Sequence, residues 1–306
     1  MPPERLPSLE EKLVISSFIS PQDELVKVYV GLSSPLFSEF KSVNRGFSVF
    51  DGDTTFLGNT PFVSGADVLI KSGNTEVKLE YDPNGEYYFF RPSSRTLRIS
   101  PNQKYELQVN FQGKTATSET IVPDMPIINF EVEVDTAFLE ATDNQFQSEF
   151  YSIASNIKFT TAVGGHYRFR GYVEGRSSLV RFTSPEKIET VVFDDSRPIF
   201  FADEGFVDAT SQTEVETYKI TGRTIMGGGA SSINGQIIRP NERPILYSVY
   251  NEVMRVTEPY YLYYESLRNF NDDNPFVEPT PVYTNINGGL GIFASSNRIG
   301  KRTNFN

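Results

Sequence analysis

Imidazole and thiol groups, which most often carry nucleophilic catalysis, are scarce in this chain of 306 residues, which has no cysteine and a single histidine, His166. A Ser–His–Asp or Cys–His site needs an imidazole that takes and returns a proton. His166 lies in the segment GGHY, which is typical of a turn between two strands, and no serine is flanked by a G-x-S-x-G elbow. The sequence therefore favours a turn or surface role for His166.

Neighbouring carboxylates could support glycoside hydrolysis, which needs two acids at a suitable separation. The candidate pairs are Asp194–Asp195, Asp203–Glu204 and Asp272–Asp273. Because the chain has 39 acidic residues, neighbours of this kind arise by chance, and sequence does not give the distance between two carboxyl groups. We predict that the protein is not an enzyme and has no catalytic residues. A hydrolase is the third alternative, after two binding roles.

Oxygen-rich and glycine-rich segments raise the question of metal and phosphate binding. DGDTTF at 51 begins like a calcium loop but lacks the later ligands, and NDDN at 271 follows a predicted helix end, where a polar turn is expected anyway. MGGGA at 226 lacks the Gly-Lys-Ser/Thr ending of a P-loop, and NGGLGIF at 287 has no strand-to-helix context. We predict no metal and no cofactor, with an ion at Asp272–Asp273 left as an open alternative.

A tyrosine-rich segment, YYLYY at 260–264, has two interpretations. Three of its rings fit the buried face of an amphipathic helix, which is the favoured interpretation. The alternative is an aromatic surface that stacks on a sugar or peptide. On that alternative the candidate ligand or partner surface comprises Tyr260, Tyr261, Asp272, Asp273 and Phe276.

The elements that must position these residues are mostly β-strands. In the first 122 residues, β-branched and aromatic runs alternate with turn signals such as DPNG, whose Asn84–Gly85 predicts a hairpin. Six or seven short strands in about 110 residues are typical of an immunoglobulin-like β-sandwich. We assign this sandwich to residues 1–123. Its predicted strands include Leu13–Ile19, Leu25–Leu32, Ala66–Ile70, Tyr87–Phe90 and Thr115–Val122.

A domain boundary is predicted at VPDMP, residues 122–126, where two prolines flank an acidic residue. The second region, 124–306, is predicted to be an antiparallel β-sandwich or barrel-like domain with one short helix. That helix runs from a cap at Thr257 to about Phe270, with apolar residues at i, i+3, i+4 and i+7. The predicted strands are Ile128–Val134, Ile157–Val163, Tyr167–Val173, Thr190–Phe193, Pro198–Phe201, Val215–Thr221 and Ile245–Val256.

The charge balance, 28 basic against 39 acidic residues, gives a formal net charge of -11. Such a chain repels nucleic acid, so we predict no nucleic-acid binding. No apolar run reaches the roughly 20 residues that span a bilayer. The opening MPPER shows no signal-peptide pattern, so either the protein is cytosolic or an export signal has been removed.

Three stretches resemble a family of Bacteroidota outer-membrane lipoproteins that share a domain of unknown function (DUF4249-like). KLVISSFISPQDELVKVYVGLSSPLF at 12–37 resembles the family's opening, and KYELQV with TATSETIVPDMPII resembles the exit from its first domain. YYLYYESLRNF with DNPFVEPTPVYTNINGGLGIF resembles its C-terminal signature. The resemblance extends from about residue 10 to residue 295 and assigns no catalytic residue.

Members of that family are typically encoded beside TonB-dependent receptors. The resemblance therefore implies an outer-membrane-anchored accessory lipoprotein that binds a TonB-dependent (SusC-like) receptor or a related outer-membrane complex. It also implies a lipidated cysteine just before residue 2, where this chain has Met1, and it favours the cell surface over the periplasmic face. The alternative function is a module that captures a glycan or peptide for import, using exposed aromatic residues near 260–276 or in the segment 38–64.

Two local predictions complete the sequence-based picture. Exported proteins of Bacteroidota can be O-glycosylated at short D-S/T motifs, and DTT at 53 and DTA at 135 make Thr54 and Thr136 candidate acceptors. Asn287–Gly288–Gly289 is predicted to form a tight turn with at least one glycine at positive φ. Leu290, Ile292 and Phe293 are then expected to return to the sheet or its core.

Overall fold

The computed structural model of the chain describes residues 11–33, 62–142, 147–161, 163–184, 187–211, 214–229, 231–233, 236–238, 240–268 and 282–305. In these residues the chain is mostly β-strand with one short α-helix, and the predicted mostly β, sandwich-like fold class is confirmed. Contacts divide the chain into two compact units. The first is Met1–Met125 with Arg255–Asn297, and the second is Pro126–Met254 with Arg298–Asn306.

The first unit is built from short strands. Its N-terminal strands are β1 (Leu13–Ile19), β2 (Val26–Leu32), β3 (Asp67–Ser72), β4 (Thr75–Lys78), β5 (Glu80–Asp82), β6 (Tyr87–Phe90), β7 (Lys104–Phe111) and β8 (Lys114–Ile121). Strands β5-β6-β2-β1 belong to one sheet, and β4-β3-β7-β8 form a second. Successive side chains of a strand point to opposite faces. Ile15 and Val28 of one sheet therefore meet Ile70, Leu107 and Val109 of the other in a single buried core.

The second unit contains longer strands. They are β9 (Ile127–Thr142), β10 (Gln147–Thr161), β11 (His166–Ser184), β12 (Lys187–Pro198), β13 (Phe200–Phe201), β14 (Phe206–Asp208), β15 (Glu216–Gly229), β16 (Ser231–Ile233), β17 (Gln236–Ile238) and most of β18 (Ile245–Val256). The strand order is β18-β11-β15-β10-β9; β12 and β14 pair with β11, β13 pairs with β15, and β16 pairs with β17. Ile157, Phe159 and Phe169 point to the buried face of this sheet.

The segment 255–297 belongs to the first unit, although the sequence placed it in the region 124–306. It contains α1 (Glu258–Arg268) and the start of β19 (Gly289–Asn304). Strand β19 pairs in parallel with β1, from Leu13 opposite Gly289 to Ile19 opposite Ser295. The predicted division 1–123 and 124–306 therefore differs from the observed units in the placement of this segment. The reason is that local periodicity identifies a strand but not its distant partner.

Helix α1 packs through its tyrosines. The rings of Tyr260, Tyr263 and Tyr264 are buried and lie 5.0, 6.3 and 5.9 Å from the ring of Phe18 on β1, measured between centroids. The favoured interpretation of the YYLYY segment, a helix with a buried aromatic face, is confirmed. No helix in the described part of the chain is long and apolar enough to cross a membrane.

Candidate functional site

The predicted ligand or partner surface is not assembled at α1. Tyr260 is fully buried, so its assignment to that surface is wrong; it is a core residue held against Phe18. Tyr261 is half-buried. Asp272, Asp273 and Phe276 lie outside the described residues.

The two candidate glycosylation acceptors fall in different places. Thr136 is exposed on β9, opposite Ile153 of β10. The preceding Asp135 accepts a hydrogen bond from the amide of Asn156 (2.9 Å). Thr54 lies outside the described residues. Modification of either threonine stays a prediction.

The Asn-Gly-Gly segment joins the two sheets of the first unit. The side chain of Asn285 donates to the Phe293 carbonyl oxygen (2.7 Å) and accepts from the Phe293 amide (3.0 Å). Asn287 exchanges two backbone hydrogen bonds with Thr117 on β8 (2.8 and 2.9 Å). Gly288 has φ +77°, which confirms the predicted glycine at positive φ. This geometry gives the segment a structural role.

The return of the chain into the sheet is only partly as predicted. Ile292 and Phe293 are fully buried. Leu290 pairs with Val14 of β1, yet its side chain is 37% exposed because it points away from the core. Leu290 therefore returns to the sheet but not to the core.

His166 directly follows the bend at residues 163–165 between β10 and β11, as the predicted turn requires, but its side chain is not on the surface. It is the first residue of β11, with a side chain 12% exposed and Nδ1 3.6 Å from Asp208 Oδ1. The pKa of Asp208 is lowered, first by hydrogen bonds from Thr210 and to a smaller extent by His166. His166 is therefore part of the packing between β11 and β14, which pair from His166 opposite Asp208.

The acidic pair Asp194–Asp195 cannot act jointly on one substrate bond. Both residues lie on β12, and neighbours on a strand point to opposite faces. Asp195 is already bound by Ser177 Oγ and Arg197 Nε, both at 2.7 Å from its Oδ2. Asp194 lies 3.8 Å from Arg176. In the described residues, no group of three or more His, Asp or Glu side chains is placed to hold a metal ion.

A different set of side chains forms the candidate site. We call it the arginine–tyrosine cluster. It occupies one face of the second unit, to which β11, β18 and the end of β19 contribute alternate residues. Its members are Arg170, Tyr172, Glu174, Ser248, Tyr250, Glu252, Arg298 and Arg302.

Glu252 is the buried centre of this cluster, with a side chain 6% exposed. Arg170 donates to its Oε1 from Nε (2.7 Å) and also from Nη2. Arg298 Nε lies 3.8 Å from Oε2, and Tyr250 OH donates to the same oxygen (3.1 Å). One carboxylate therefore compensates two arginines.

Arg302 forms the exposed part of the cluster. Its guanidinium carbon lies 5.6 Å from the centroids of both Tyr172 and Tyr250, whose rings are 5.1 Å apart. It also donates to Glu174, to Ser248 Oγ (2.6 Å) and to Tyr172 OH (2.9 Å). The Arg302 side chain is nevertheless 39% exposed. A guanidinium that lies over two aromatic rings and stays partly exposed remains accessible to a partner's carboxylate, carbonyl or hydroxyl groups.

The electrostatics of the cluster differ from those of the whole chain. Three arginines and two glutamates leave it with a net charge of +1, in a chain whose net charge is -11. Burial raises the pKa of Tyr250 to about 12, with a further contribution from the negative charge of Glu252. The phenol is thus neutral and a hydrogen-bond donor at all physiological pH values.

The raised pKa of Tyr250 predicts a loss of stability in alkali. Between about pH 10 and pH 12 an unfolded tyrosine has lost its proton while Tyr250 in the fold keeps it. The folded state then binds more protons, so stability falls as pH rises through this window. Urea unfolding at pH 9, 10 and 11 should show a smaller decrease in the free energy of unfolding with pH for Tyr250→Phe than for the parent protein. If the free energy of unfolding fell equally with pH in both proteins, the raised pKa of Tyr250 would be contradicted.

Sequence reasoning missed this cluster, although a signal was present. RFRGYVE at 168–174 alternates charged or aromatic residues with buried ones, and Ser248, Tyr250 and Glu252 occupy alternate positions of another predicted strand. Such alternation predicts a strand with one polar face. It does not show that three strands, one from the C-terminal end, bring their polar faces together.

Comparison with known families gives one match. A family model described as a domain of unknown function (DUF4249) covers residues 4–302. The comparison with curated proteins found no match.

Proposed function

We propose a function for this chain on the premise that it belongs to the DUF4249 family, a domain of unknown function. The proposed function is that of a non-enzymatic accessory lipoprotein of the outer membrane. Its partner is a TonB-dependent (SusC-like) receptor or a related outer-membrane β-barrel complex. A lipid on the cysteine that the family resemblance implies in place of Met1 anchors the native protein, which faces the cell surface. The support for this role is the family resemblance together with the arginine–tyrosine cluster.

The observation that carries the binding role is Arg302, which is 39% exposed and has its guanidinium carbon 5.6 Å from the ring centroids of Tyr172 and Tyr250. Arginine and tyrosine are enriched at the centres of protein interfaces, because they combine large contact area with several hydrogen bonds. Arg302 is already oriented by Glu174 and Ser248, so little side-chain entropy is lost when a partner binds. The cluster is therefore the proposed partner surface.

Affinity purification from native outer membranes tests this proposal. Tagged, lipidated parent protein is expected to recover an outer-membrane β-barrel protein, and Arg302→Ala should reduce that recovery about tenfold or more, as expected for an interface hot spot. Arg223→Ala is the matched control, because Arg223 is an exposed arginine on β15 outside the cluster. Recovery of no β-barrel protein with the parent chain would contradict the proposal.

A second candidate function is capture of a glycan or peptide for import. With Tyr260 buried, the aromatic platform for that role becomes the Tyr172–Tyr250 pair, whose rings are 5.1 Å apart. Binding of a glycan and peptide panel to the purified protein, weakened by Arg302→Ala but not by Arg223→Ala, would favour this role over receptor docking. Protease treatment of intact cells separates the two membrane faces, since only a surface-exposed chain is cleaved.

A further inference from the structure

Strand β9 forms an edge of the second unit's sheet. It is 16 residues long, from Ile127 to Thr142, and stands last in the strand order. Along its whole length it pairs with β10, from Thr142 opposite Gln147 to Ile127 opposite Thr161. Among the described strands it pairs with no other. Half of its backbone N–H and C=O groups therefore point away from β10, where an added strand can hydrogen-bond to them.

The side chains of β9 give this edge a negative charge. Glu131, Glu133 and Asp135 are exposed at alternate positions, so all three lie on the same face. Lys158 on β10 lies 3.1 Å from Glu131, while Asp135 is bound by the neutral amide of Asn156. An incoming strand would therefore lie beside three carboxylates on one face of β9. They are spaced about 7 Å apart, which is the length of two residues in an extended chain.

One cation of the chain already lies at this edge. Lys301, on the last part of β19, donates from Nζ to the carbonyl oxygen of Val132 (3.4 Å). Its charge also contributes to lowering the pKa of Glu131, after the larger effects of Asn129 and Lys158. Lysines placed at an edge are a known means of blocking strand addition. Lys301 therefore shows that the edge attracts positive charge. An added strand would have to replace its contact with the Val132 carbonyl oxygen.

We propose that the outer edge of β9 accepts an extended, basic segment of a partner protein as an additional β-strand. Backbone hydrogen bonds supply the general affinity in this mode of binding, and side chains at alternate positions supply the specificity. The matching segment carries Lys or Arg at every second position, opposite Glu131, Glu133 and Asp135. A second copy of this chain does not fit, because pairing two β9 edges brings like charges together. The inference is independent of the proposed receptor-binding role.

Peptide binding to the purified chain, with no membrane present, tests the proposal. The probe is a fluorescent peptide that alternates lysine with valine, compared with the same peptide carrying glutamate for lysine. Fluorescence anisotropy should show at least tenfold tighter binding of the lysine peptide, with affinity falling as salt rises from 50 to 500 mM. Glu133→Gln with Asp135→Asn should weaken binding about fivefold. Lys301→Ala should strengthen it, and Asp194→Asn, at an exposed acid on β12, should leave it unchanged.

Two N-methylated probes separate strand addition from simple charge attraction. In one peptide every second backbone nitrogen is methylated, which removes the N–H groups that face β9. In the other peptide the remaining alternate nitrogens are methylated, which removes the N–H groups that face solvent. Strand addition predicts that one methylated peptide loses binding and the other retains it. Equal binding of both methylated peptides, equal binding of the lysine and glutamate peptides, or dimerisation of the chain through β9 would each overturn the proposal.

Discussion

Replacing Glu252 by glutamine is expected to lower the free energy of unfolding by about 3 kcal/mol, among the largest effects available in the second unit. Glu252 is 6% exposed and faces Arg170 and Arg298, which are 20% and 23% exposed. Removing its charge takes away the carboxylate that both of these largely buried guanidinium groups contact, and losing one partner of a buried ion pair is costly. The estimate is at the low end for buried pairs, because both arginines retain some contact with water.

Urea unfolding at pH 7 measures this effect, and two further variants make the result specific. Asp194→Asn removes a carboxylate that is 82% exposed and 3.8 Å from Arg176, so its effect should stay within about 0.5 kcal/mol. Arg170→Met in the Glu252→Gln background should recover part of the lost stability, since it removes one of the two positive charges that Glu252 faces. If Glu252→Gln and Asp194→Asn behaved alike, Glu252 would not be the centre of the cluster.

The strands that sequence predicted best are those whose apolar residues fall on one face or are buried throughout. Leu13–Ile19, Tyr87–Phe90 and Ile245–Val256 were predicted with the bounds that the structure has. In contrast, the strand predicted at Ile157–Val163 runs from Gln147 to Thr161. Its first half places Phe150 on one face and Tyr151 with Ile153 on the other, so the alternation that marks a strand is lost. Pairing with β9 and β15 fixes that strand, and local sequence does not specify pairing.

The candidate site shows the same limit of sequence reasoning. The helix and the buried tyrosines at 260–264 followed from helical spacing, which depends on neighbouring residues alone. The arginine–tyrosine cluster required Arg170, Glu252 and Arg302 to meet, and these lie on three different strands. Each is a charged residue in the sequence, and no local feature links any of them to the other two. Their meeting depends on the path of β19, which pairs with β1 near one end and reaches the second unit at the other.

Gly291→Ala is expected to destabilise the first unit by about 3 kcal/mol, and this change tests the structural role of the glycine-rich signature. Gly291 has φ +102°, a conformation that costs residues with a Cβ of order 1–3 kcal/mol. A Cβ at this position would lie 1.9 Å from the carbonyl oxygen of Ile15, so β1 and β19 would also have to separate where they pair. Such overpacking typically costs another 1–3 kcal/mol.

Leu290→Ala is the matched control for Gly291→Ala, because Leu290 is the adjacent residue, pairs with the same strand and is 37% exposed. Its effect on unfolding should be clearly smaller, since most of a fully buried leucine's contacts are absent there. Hydrogen exchange locates the damage: the amides of β1 and β19 should lose protection in Gly291→Ala, while those of β10 and β15 in the second unit should keep it. A Gly291→Ala protein that unfolds like its parent would mean that β19 tolerates a side chain beside Ile15. The glycine would then have to be explained by an external contact and not by the close approach of these two strands.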